Sequence, residues 1–390
     1  MSAFVNDIIL VECLRRANPK CREISIKQYD CKPLTITPGS NYTSEIYGVC
    51  VEFECDGKTQ NEFMVFKVPH LHKLYNQMQK AGVYEKENYM YNTIMPELMK
   101  VSSLSMLPKH YCITESQVLI LEDLTKGGYF LEDQKQWNLE PSILLLNELA
   151  KFHAASVKLH QLNPSILEPI STVTLFREDV VVAIKKRVYP YLMEILKAEG
   201  FNQQVLQKFA EYREKIDCNN IYQILNREHS FGVLNHGNLK SNNLLLKKNH
   251  SGPGSLKIID YQTCFWGSPI FDLLYFFILN VDCNVYEQHQ HKLINLYLVT
   301  LNDSLSNLQW DGTYSKEDYE VDLEGSKLYQ IFTLLFSSVL VIRECIPGFL
   351  HGDPLSVPSL QEVEKIRKDE IFGCRFINWF RYFEKQGYFD

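Results

Sequence analysis

Apolar residues recur with two different periods along this chain. In the first third, Ser44 to Cys55 is dense in β-branched and aromatic residues, and Phe63 to Val68 is a second short apolar run. Cys55-Asp-Gly-Lys58 between them is a turn signal, so the pattern predicts a hairpin. Gln117 to Leu121 predicts a third strand. Later the period turns helical. Pro141 to Leu162 places Leu145, Leu149, Phe152 and Ser156 on one face, with Pro141 in the first turn. Helical patterns recur near 178–198, 201–227, 283–303, 327–346 and 359–385. One hairpin interrupts them, with Asn243 to Lys247 and Leu256 to Asp260 flanking His250-Ser-Gly-Pro-Gly254. The chain therefore reads as α+β. A small β-rich N-lobe covers 1–121, a hinge with two glycines covers 122–128, and a large helical C-lobe covers 129–390.

The bulk properties support two lobes. The 390 residues are 45% hydrophobic and 22% charged, enough apolar material for a sizeable core. A net charge of −7 argues against a nucleic-acid partner. The 11 cysteines are scattered without a Cys-x-x-Cys pair, which argues against zinc and for most of them being buried, reduced thiols in a cytoplasmic protein. Met1 to Arg16 carries Asp7 and Glu12 and lacks the pattern of a signal peptide. The longest charge-free apolar run, Tyr329 to Ile342, falls short of the ~20 residues a membrane span needs. No membrane partner is expected.

Candidate chemistry gathers at a few points. Period two puts Phe63, Val65 and Lys67 on one strand face. A lysine there either reaches water from an edge strand or meets an anion. In Val83 to Pro96, helical spacing aligns Tyr84, Glu87, Tyr91 and Ile94. A strand lysine followed by a helix glutamate is what a phosphate-positioning ion pair requires, although Glu87 alone also fits a helix surface. The turn Pro38-Gly-Ser-Asn-Tyr-Thr-Ser-Glu45, with Ser40 and Asn41, suits either backbone contacts to phosphate or an ordinary turn. The most specific segment is Val233-Leu-Asn-His-Gly-Asn-Leu-Lys-Ser-Asn-Asn-Leu-Leu-Leu246, followed by Leu256-Lys-Ile-Ile-Asp-Tyr-Gln262. Asn243 and Asp260 at the ends of its two strands offer hard oxygens that suit magnesium. The plainer alternative is a pair of Asx turns capping a hairpin. Asp272, inside an apolar run, reads as a structural brace for the loop.

With Val65-Phe-Lys67, Glu87-Asn-Tyr-Met-Tyr91, Leu121-Glu-Asp-Leu124, Leu149-Ala-Lys-Phe-His-Ala-Ala-Ser156, Leu234-Asn-His-Gly237, Ile259-Asp-Tyr-Gln262 and Gly267-Ser-Pro269, the chain resembles the insect ecdysteroid kinase-like family over roughly residues 38 to 386. That family is related to choline kinases and aminoglycoside phosphotransferases. The resemblance implies a protein-kinase-like two-lobed fold and ATP–magnesium-dependent transfer of phosphate to a hydroxyl of a small molecule, an ecdysteroid or a xenobiotic. It implies that Ser40, Asn41, Lys67 and Glu87 serve the phosphates, that Glu122 and Leu124 meet adenine, and that Asn243 and Asp260 hold magnesium. His236, Asn238 and Lys240 would form the catalytic loop, and His153 would be structural. One departure stands out. The family pattern is His-Gly-Asp, and here the third residue is Asn238, whose amide cannot accept a proton as a carboxylate does. Two readings follow: a kinase with a modified loop, or a pseudokinase that binds nucleotide or ligand without turnover.

Overall fold

The apolar alternation between residues 44 and 69 folds as a long hairpin. The computed structural model describes residues 4–34, 44–69, 79, 81–132, 136–173, 178–249, 254–346, 349 and 359–390. Among these, the strands in chain order are β1 Ile24–Pro33, β2 Ser44–Cys55, β3 Lys58–Pro69, β4 His110–Ile113, β5 Leu119–Glu122, β6 Phe130–Leu131, β7 Val233–Asn235, β8 Leu244–Lys247, β9 Ser255–Ile258 and β10 Phe265–Gly267. Antiparallel pairing sets Cys55 opposite Lys58, and Asp56 and Gly57 turn the corner at φ 48° and 79°. Two left-handed residues match the twist of the flanking strands, which is why Asp-Gly suits this position.

The chain divides into two compact units. The first spans Met1–Leu131 and Leu244–Thr263. Its main sheet has the order β1-β2-β3-β5-β4. Met64 and Phe66 on one face of β3 are fully buried with Val49, Val51, Phe53 and Ile120, and Leu10 and Leu14 of the helix Asp7–Ala17 pack into the same cluster. Phe63, Val65 and Lys67 take the other, half-buried face. A division by sequence alone placed every residue after 128 in the helical lobe. The hairpin 244–258 instead groups with the first unit, because β8 pairs with β6 and the Ile258 N–H donates to the Met106 carbonyl at 2.9 Å.

The second unit spans Glu132–Asn243 and Cys264–Asp390. The helix Leu139–Leu162 matches the predicted Pro141–Leu162 pattern, and it packs along the helix Cys283–Asn307. Asp282 caps the latter, its Oδ1 accepting from the N–H groups of Asn284 and Val285. A short antiparallel ladder of β7 and β10 sets Asn235 opposite Phe265. Among the described residues, three helices carry π turns, at Met90–Ile94, Ile184–Val188 and Gly373–Ile377. Together the two units give an α+β, kinase-like division into a β-rich part and a helical part.

Nine of the cysteines are free, and one pair departs from the expected reduced thiols. Cys21 and Cys55 are joined by a disulfide, with Cα atoms 5.8 Å apart. The β1–β2 register sets Cys55 opposite Ile24, which brings Cys21 alongside. No single helix among the described residues is long and apolar enough to cross a membrane.

Candidate active site

The first unit contains a buried lysine held by two acids. Lys67 Nζ donates to Glu87 Oε1 and Oε2 at 2.8 and 2.9 Å and to Asp260 Oδ1 at 2.6 Å. The three side chains are 15%, 5% and 17% exposed, so water screens the contacts weakly. Burial alone would lower the Lys67 pKa, but the Asp260 and Glu87 carboxylates outweigh it and hold the ammonium above its ordinary value. Burial pushes the Glu87 carboxyl up; Lys67 opposes this and Asp260 adds to it. Glu87 is buried with Val83 and Tyr84 in the helix Val83–Tyr89, and Tyr91 and Ile94 are buried in the π turn that follows, where the spacing departs from the 3.6-residue period.

Asp260 adopts φ 72°, a left-handed conformation uncommon for a residue with a side chain. Its Oδ2 accepts from Gln262 Nε2 at 3.1 Å. Strained backbone of this kind concentrates at functional positions. The segment 122–128 begins at the end of β5. The Glu122 N–H donates to the Lys109 carbonyl, Glu122 Oε1 accepts from the Lys109 N–H at 2.7 Å, and the Leu124 carbonyl accepts from Gly127 and Tyr129. Ser40 and Asn41 lie outside the described residues.

The second unit builds the loop 235–243 on the helix Ile270–Asn280. The fully buried Asp272 carboxylate accepts from the N–H groups of His236 at 2.7 Å and Gly237 at 2.8 Å. Gly237 takes φ 76°, which lets both amides turn toward one carboxylate. Asp272 Oδ2 also lies 3.2 Å from His153 Nε2, and His153 Nδ1 lies 2.7 Å from the Tyr297 hydroxyl. Asp272 thus braces the loop as its sequence context suggests.

Within the loop, His236 Nδ1 accepts from the Asn238 N–H at 3.2 Å, so the ring holds loop shape. The Asn238 carbonyl accepts from the Lys240 N–H and from Asn243 Nδ2, both at 2.9 Å. This commits the Asn243 nitrogen to the loop. Sequence reasoning missed Asn235, Tyr275 and Asn280. Asn235 Oδ1 accepts from the Asp272 N–H at 3.2 Å, the Tyr275 hydroxyl donates to Asn238 Oδ1 at 3.1 Å, and Asn280 Nδ2 donates to the Leu239 carbonyl at 2.7 Å. The available signal was that Asp272, Tyr275 and Asn280 carry the polar side-chain atoms of an otherwise apolar helix.

Solved structures with some likeness include a GDP and kanamycin complex of APH(2")-IIia, at 12% identity and TM-score 0.42, covering 89% of this chain and 95% of that chain. A GDP complex of wild-type aminoglycoside 2'-phosphotransferase-IIIa matches at 12% identity and TM-score 0.42, over 93% of this chain and 99% of that one. Comparison with curated proteins finds no match. The family model for the ecdysteroid kinase-like family matches residues 38–310. The chain belongs to the ecdysteroid kinase-like family.

Proposed function

We propose that this protein is a phosphotransferase that moves phosphate from ATP to a hydroxyl of a small molecule. The observation that carries this reading is the Lys67 ammonium fixed by Glu87 and Asp260 in a buried setting. Phosphoryl transfer depends mainly on positioning and on offsetting charge. In this reading Lys67 meets the ATP phosphates and Glu87 orients it. Asp260 and the Asn243 carbonyl oxygen are the hard donors assigned to magnesium, which when bound would draw charge from the phosphates. Glu122 and Leu124 are assigned to adenine, Ser40 and Asn41 to the phosphates, and Lys240 to the γ-phosphate. His236 and Asn238 shape the loop at the acceptor. The acceptor class is a hydroxylated, largely apolar compound such as an ecdysteroid or a xenobiotic.

A second reading, a pseudokinase that binds without turnover, rests on Asn238, because general-base help is commonly worth ~10²–10⁴ in rate. Wild type, Asn238→Asp and Asp260→Ala would be assayed for transfer from labelled ATP to a panel of ecdysteroids and other hydroxylated compounds. Transfer by wild type but not by Asp260→Ala is expected. Transfer by Asn238→Asp alone would establish the pseudokinase. Magnesium-independent ATP binding, or none, in all three would overturn both readings.

A further inference from the structure

The helix Asp7–Ala17 packs against β4, an edge strand of the main sheet. Arg16 bridges the two, its Nη1 donating to the Tyr111 carbonyl at 2.8 Å. Beside that bridge two thiols meet. Cys13 Sγ lies 3.3 Å from Cys112 Sγ, and both residues are buried in the core of the first unit. The two positions are 99 apart in sequence, so the fold makes this meeting and the local sequence does not. Sulfurs in a disulfide lie about 2.05 Å apart, so bonding asks for about 1.3 Å of closure shared between two side chains. The hydrogen bond between the thiols raises the Cys13 pKa and lowers that of Cys112. Burial raises both, as does Glu12, whereas Arg16 lowers both. Cys112 is therefore the first of the two to ionise, and the thiolate is the reactive form.

We propose that Cys13 and Cys112 are a second disulfide site, closed by peroxide, which clips the helix Asp7–Ala17 to β4. The Cys112 thiolate attacks one peroxide oxygen, the O–O bond breaks, and hydroxide leaves; Cys112 is then a sulfenic acid. The Cys13 sulfur attacks the sulfenic sulfur, the S–S bond forms, and the S–O bond breaks. The departing oxygen takes up the Cys13 proton and leaves as water, and the hydroxide takes up the proton that Cys112 released. Two thiols lose two electrons, and one peroxide is reduced to two waters. Side-chain contacts hold the helix to the sheet, and Ile8 on its outer side is 83% exposed. Local opening of the helix then admits an oxidant as small as peroxide without parting the strands. The inference does not depend on the phosphotransferase reading.

The test treats the folded full chain with hydrogen peroxide until Met99, which is 48% exposed, is oxidised to the sulfoxide. Free thiols are then alkylated in denaturant, and the chain is digested without reductant for mass spectrometry. Most chains should carry a peptide pair linking Cys13 to Cys112, absent before treatment and released by dithiothreitol. The same treatment in urea should give that pair in about 10-fold lower yield, because other cysteines then compete for each thiol. Cys13 and Cys112 both alkylated after Met99 is oxidised would overturn the proposal. So would Cys112 found as a sulfinic acid beside an intact Cys13 thiol, or either cysteine linked elsewhere. The clip itself is read by urea unfolding. Peroxide should raise the midpoint of wild type by roughly 1 M, since the bond closes a long loop, and should leave Cys13→Ala and Cys112→Ala unshifted. A linked chain with no shift beyond that of the two variants would mean that the bond does not clip the helix, and would overturn the proposal.

Discussion

Replacing Lys67 with methionine removes a cation from between two carboxylates while nearly preserving side-chain volume. Glu87 and Asp260 both bond the same nitrogen, so their charges lie roughly 5 Å apart. At an effective dielectric of ~20 they would repel by about 3 kcal/mol once the ammonium is gone. Breaking a buried ion pair from one side typically costs about 3–5 kcal/mol, which brackets this figure. Urea unfolding of Lys67→Met at pH 7.5 should therefore show a loss of that size. The loss should shrink on acidification. Glu87 already holds its proton above the usual carboxylate range, so the folded variant binds a proton that the unfolded chain has released. Stability of the variant accordingly rises as pH falls through that range. Adding Glu87→Gln should recover most of the loss at pH 7.5. If Lys67→Met costs under ~1 kcal/mol, as for an exposed pair, or if Glu87→Gln gives no relief, the three groups do not form the coupled unit described.

Other outcomes follow from the same reasoning. Asp272→Asn would set an amide nitrogen against the N–H groups of His236 and Gly237, so thermal unfolding should show a loss of about 3–5 kcal/mol. The His110 ring, with a pKa pushed down to about 4 by burial, stays neutral in the fold while the unfolded chain protonates near 6.5. Stability should fall as pH drops from about 6.5 toward 4, by about 2 kcal/mol between pH 7 and 5, and His110→Gln should flatten that profile in urea titrations. Asp322→Ala would strip partners from the Tyr314 hydroxyl at 2.9 Å, from Arg227 at 3.1 Å and from His229 at 3.3 Å, with an expected loss of about 2–4 kcal/mol by calorimetry.

The β2–β3 hairpin, the long helices and the pairing of Lys67 with Glu87 were legible because local period and turn chemistry dictate them. The strand β1 was not, since its exposure pattern alternates only weakly along an edge of the sheet. The π turns were hidden too. Each carries one residue more than the 3.6 period allows, and the apolar pattern around it continues. The Asp322 contacts join residues about 90 positions apart, His229 and Arg227 among them, and no local signal marks such a meeting. Cys21 found Cys55 through strand register rather than through spacing.

The backbone at Asp260 carries an evolutionary consequence. At φ 72° most side chains would add about 1–2 kcal/mol of strain, whereas glycine and asparagine fit with little. Both are one base change from either aspartate codon. A duplicated copy of this gene could therefore lose the charge that the proposed reaction needs without adding strain to its main chain. The main chain would accept its neighbours in the code, so what sets aspartate apart here is the carboxylate that meets Lys67 and Gln262.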